Sequence, residues 1–161
     1  MDLRSTRVKA PIYRNSDILI ASKCLPVVAP EIFKEISKDK VVVFMCPEQE
    51  NPAVYGKIAS VIRSSRPKSI TVVTIDGSPH CFTLHAAVNE AFYILGEKLV
   101  ERHHYVVVDG EKLVEITPDA VRLARYLSIM QRIVEEHPEY LEELKKHSLE
   151  YKLAKERHTD R

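Results

Sequence analysis

The chain has 161 residues, 45% of them apolar, and 24 Lys and Arg against 23 Asp and Glu give a formal net charge of +1. That length suits one domain with an added element and buries enough surface to fold without a disulfide or metal, while the balanced charge gives no global pull toward nucleic acid or an anionic membrane. No apolar run reaches the roughly 18 residues of a membrane span, the charged start lacks a signal-peptide core, and three cysteines cannot make a complete disulfide framework, so a soluble cytoplasmic protein with reduced thiols is expected.

Residues 1–16 are polar and read as an extended lead-in. A first strand is predicted over 17–22, apolar throughout at Ile18, Leu19, Ile20 and Ala21, as for a strand covered on both faces. Cys24-Leu25-Pro26 should end it, because Pro26 has no amide hydrogen for a ladder. A short helix follows from about Pro30, with Ile32, Phe33 and Ile36 as its stripe. The second strand is Val41 to Met45, stopped by Cys46-Pro47. Pro52 should sit in the first turn of the next helix with Asn51 as cap, and Val54, Ile58, Val61 and Ile62 recur at helical spacing up to Arg66-Pro67.

The third strand, Ser69 to Ile75, is rich in β-branched residues. Asp76-Gly77-Ser78-Pro79 is a turn cluster. The helix beyond it carries Leu84, Val88, Ala91, Phe92 and Leu95, and Gly96 is its expected stop. A fourth strand over 104–108 turns through Asp109-Gly110 into a short fifth over 113–116. Thr117-Pro118-Asp119 opens a helix to about Glu136. Pro138 ends or kinks it, and a charged helix runs from Glu139 to about Arg157.

Strands alternating with helices predict an α/β fold: a three-layer, Rossmann-like or flavodoxin-like domain over 1–116, with a mostly parallel sheet of four or five strands. Residues 117–161 form a C-terminal helical extension. It either packs on the domain or pairs with a partner subunit, which would make the protein a homo-oligomer.

All three cysteines, together with His80, fall at the outgoing ends of the first three strands. In an open parallel sheet, functional groups gather at those ends, near the point where strand order reverses. Thiolates and imidazole bind soft and borderline metals, so Cys24, Cys46, His80 and Cys81 are candidate ligands of zinc or an iron–sulfur cluster. There is no Cys-x-x-Cys knuckle, so the fold must assemble the set, and the competing reading is that each cysteine simply packs as a small hydrophobe.

These motifs resemble the C-terminal α/β domain of small archaeal and bacterial 4Fe-4S ferredoxin-like iron–sulfur binding proteins. The resemblance lies in Asp17-Ile-Leu-Ile-Ala21 with Cys24 and Pro26, in Cys46-Pro47, and in Ser69-Ile-Thr-Val-Val73 with Pro79-His80-Cys81. It covers about residues 17–95 and implies an iron–sulfur site. His80 stands where that family has the first cysteine of a pair, and the family's N-terminal cluster module is not in this sequence.

Other side chains are secondary candidates. His85, one helical turn past Cys81, could reach the same mouth. Glu48 and Glu50 are candidate acid–base groups, or hydrogen-bond partners of metal ligands. His103-His104 reads as surface. The function expected is metal or iron–sulfur binding with a redox or metal-handling role. The alternatives are a small-molecule or nucleotide-binding domain with a reactive thiol at Cys46 or Cys81, and a non-catalytic assembly protein working through its C-terminal helices. No nucleic-acid or membrane partner is expected.

Overall fold

The computed structural model describes residues 1–51, 53–96 and 99–159, with side chains to Glu156; Pro52, expected in a first helical turn, lies outside them. Five strands form one sheet: β1 (Asp17–Ser22), β2 (Val41–Met45), β3 (Ser69–Ile75), β4 (Glu101–Val108) and β5 (Lys112–Ile116). Their order is β2-β1-β3-β4-β5, parallel except for the last pair. Asp2 adds a single parallel bridge to Phe44 on the outer edge of β2.

Period-two alternation sends β1 residues to two cores. Ile18 and Ile20 join Val43, Ile70, Val72 and the stripes of α3 (Tyr55–Ser65) and α4 (Pro79–Leu95). Leu19 and Ala21 face the other way, onto the short helices α1 (Leu25–Val28) and α2 (Pro30–Ile36). Helices therefore lie on both faces, which makes the predicted three layers. The chain steps one way from β1 to β2 and the other way from β3 to β4, so crossovers of one hand must use opposite faces, as they do here.

The first three strands have the predicted limits, and several other boundaries differ. Pro26 does not only end β1: it sits in the first turn of α1, where its missing N–H costs nothing. Asn51 is not the cap of α3, which starts at Tyr55; its Oδ1 accepts the Ala53 N–H at 2.9 Å in a local turn. β4 begins at Glu101, because Ser69 to Thr71 of β3 pair with Glu101 to His103 despite their polar sequence. Asp109 and Gly110, at φ of 52° and 77°, make the left-handed two-residue turn of the predicted hairpin.

The chain divides into two compact units, Met1–Val121 and Arg122–Arg161. The helix expected from Thr117 to Glu136 is two helices, α5 (Pro118–Leu123) and α6 (Leu127–Glu136). Between them the Arg125 and Tyr126 amides bond back only three residues, which tightens and ends the first. The final helix is also two, α7 (Glu139–His147) and α8 (Leu149–Thr159). They are broken at Ser148, whose backbone is extended and whose hydroxyl accepts the Tyr151 N–H at 3.2 Å. Among the described residues no helix is long and apolar enough to cross a membrane.

Candidate functional site

The strand order makes the cysteine-bearing ends neighbours. Cys46 follows β2, Cys24 follows β1, and Cys81 lies in the first turn of the helix that leaves β3. Strands β2, β1 and β3 are adjacent, and order reverses between β1 and β3, where open α/β sheets form their ligand crevice.

Polar contacts between these loops hold the edge together. The Lys23 ammonium lies 2.5 Å from Glu50 Oε1 and 3.0 Å from Asp2 Oδ2. Those partners, Glu50 before Asp2, raise its pKa above the ordinary lysine value, and Lys23 in turn lowers that of Asp2. Glu50 Oε1 also accepts the Cys46 N–H at 3.2 Å, while the Cys46 carbonyl accepts the Gln49 and Glu50 amides at 3.1 and 2.9 Å. Glu48 and Glu50, candidate acid–base groups from sequence, are thus separated: Glu50 organises the turn around Cys46, and Glu48 Oε2 lies 4.0 Å from His80 Nδ1.

The four candidate ligands have unlike surroundings. Cys24 is exposed, its Sγ 3.8 Å from the Ser22 hydroxyl, and Cys46 is half-buried. His80 is exposed, whereas Cys81 is 6% exposed and its N–H donates to Ser78 Oγ at 3.3 Å, in the capping bond that starts α4. Consecutive residues on a helix point about 100° apart, so an inward Cys81 leaves His80 outward. Among the described residues no three His, Cys, Asp or Glu side chains gather closely enough to hold a metal ion.

His85 does not serve this mouth. It is 2% exposed, and Thr74 Oγ1 lies 2.9 Å from its Nε2. Its Nδ1 is 2.9 Å from Nδ1 of His104, which is 1% exposed, so the expectation that His104 lies on the surface is corrected. An imidazole is tolerated there because one ring donates to the other across β4 and α4. Two N–H groups cannot face each other over that distance, so the pair excludes double protonation, and burial holds the His85 pKa down to about 4. Sequence reasoning missed this pair. Its only signal was a histidine on the apolar face of α4 and another in an apolar run.

A family model described as a Rossmann-like domain matches residues 10–161. No significant match is found among curated proteins or among solved structures.

Proposed function

The chain belongs to the Rossmann-like domain family, and from that premise we propose that it binds a soft metal ion at the carboxyl ends of β2, β1 and β3, as zinc or as an iron–sulfur cluster. Cys24, Cys46 and Cys81, with His80, are the donors, and the role is redox or metal handling. The observation that carries this reading is the strand order, which turns three cysteines distant in sequence into occupants of neighbouring strand ends, roughly 5 Å apart per strand. The motif resemblance to ferredoxin-like iron–sulfur proteins supports it as well.

The donor chemistry fits such a group: three thiols and an imidazole match tetrahedral zinc, or a cluster with one non-thiolate ligand. The site is not preassembled, however, since no three donors gather among the described residues. Cys24 and His80, both exposed, are the donors able to reorient without unpacking the core, while the Ser78 cap and the Glu50 bond fix the backbones of Cys81 and Cys46. A cluster bound there would supply one-electron chemistry and zinc a Lewis acid or a structural tie.

A second reading rests on the exposure of Cys24 at the strand-order reversal. The domain would bind a small molecule in the crevice, with that thiol as its reactive group. Elemental analysis and a visible spectrum of protein purified anaerobically without chelators separate the two. Metal at one equivalent, or colour with iron and sulfide, supports the first. Full metal content retained in Cys46→Ser sinks the shared site. Absence of both metal and colour, with alkylation selective for Cys24 near neutral pH, supports the second.

A further inference from the structure

The opposite end of the sheet holds a pocket of about 630 Å³ on the face that carries α1 and α2. Asp17, Ser69 and Glu101, the first residues of β1, β3 and β4, are register partners and line its outer edge. Its size is that of a small-molecule site. It lies beside α2, between Ile32 and Ile36 of that helix and Tyr105 and Leu113 of β4 and β5.

The lining has one consistent character. Ile32, Ile36, Leu113 and the Tyr105 ring form an apolar and aromatic wall. Asp17, Glu35 and Glu101 put carboxylates on the rim, and Glu115 lies just beyond, 3.7 Å from the His103 imidazole. Burial, and then the charge and hydrogen bond of Glu115, raise the pKa of Tyr105, which keeps its phenol protonated. The one lysine of the lining, Lys40, donates to the Ile36 carbonyl at 2.9 Å at the negative end of α2. On the floor, Ser69 donates to Asp17 Oδ1 at 2.6 Å. Thr71, 2% exposed, lines the same floor.

We propose that this pocket is a binding site for an organic cation with an apolar body, namely a primary amine carried on an aromatic or aliphatic group. The ammonium sits between the Asp17 and Glu101 carboxylates, and the body lies against Tyr105, Leu113 and Ile36. A bare divalent ion is not the match: the carboxylates are spread along a rim, and among the described residues no three acidic or imidazole groups converge. An anion would meet the three carboxylates of Asp17, Glu35 and Glu101 against the single ammonium of Lys40 and a His103 imidazole that already lies 3.6 Å from Glu101. The aromatic wall adds the attraction of a ring face for an ammonium group.

Titrating the full-length protein with 2-phenylethylamine, followed by amide and side-chain NMR shifts, tests this. The expected result is saturable shifts clustered at Thr71, His103, Tyr105 and Leu113. Phenylacetate, which has the same ring and the opposite charge, should produce none. Asp17→Asn should weaken the amine about tenfold, the loss of one charge-assisted bond, and Glu101→Gln, at an exposed rim position, is the check if Asp17→Asn does not fold. Equal binding of amine and phenylacetate, shifts that do not saturate, or affinity unchanged in both variants would overturn the proposal.

Discussion

The two units of this chain are held by different forces. In Met1–Val121 the central strands and the long helices meet in a buried core, where Leu19, Leu84 and Val88 have no exposed surface. In Arg122–Arg161 neither α6 nor α7 buries a single residue, and Leu127 and Leu149 are 77% and 69% exposed. Local terms there include the Ser148 cap, the Gln131–Glu135 pair and the Lys145–Glu142 pair, beside the contact of α7 with α8. Helices of nine to eleven residues are marginal on such terms alone. Stability is thus concentrated in the first unit, and mutations should read that out.

The largest effect is expected in the core. Leu84→Ala, at a fully buried site under α4, should cost about 2–5 kcal/mol, measured by urea denaturation. A loss under 1 kcal/mol would mean that this interior is loose and that the contrast between the units is false.

Acid should act next, through the buried histidine pair. The folded-state pKa of His85 is about 4 against an ordinary 6.5, so the unfolded chain takes up that proton first. Stability is then fully present above about pH 6.5 and lost as pH falls toward 4, by on the order of 3 kcal/mol in total. Denaturation midpoints at pH 7 and 4.5, with the His85 ring titrated by NMR, check the sign. A His85 that titrates near 6.5 would break the argument.

A smaller effect belongs to the cap that links fold to site. Ser78→Ala removes the hydroxyl that accepts the Cys81 N–H and should cost about 1 kcal/mol. It should also raise the alkylation rate of Cys81 by loosening the first turn of α4. Unchanged reactivity at lowered stability would show that packing, not the cap, shields the thiol.

The smallest effect is predicted in the second unit, where Leu149→Ala should change stability by no more than about 0.5 kcal/mol. A larger loss accompanied by a drop in mass on sedimentation would show that a second copy of the chain covers these exposed leucines.

Much of this was readable in advance where one residue's chemistry settles the matter. Unbroken β-branched and aliphatic runs set the limits of β1, β2 and β3, Gly96 marked the stop of α4, and Asp109-Gly110 marked the hairpin. The polar start of β4 was not readable, because pairing with a central strand overrode its composition. The breaks at Tyr126 and Ser148 were lost because an amphipathic stripe continues across them.

The sequence by itself determined the α/β class and put each cysteine just past a strand, since both follow from local pattern. Only the tertiary structure decided that β2, β1 and β3 are neighbours, that Cys81 turns inward while His80 turns outward, and that His85 meets His104 instead of the strand-end mouth. Those facts depend on which strands pair and how a helix is rotated on the sheet. Both are set by the burial of whole faces, and no single residue encodes either.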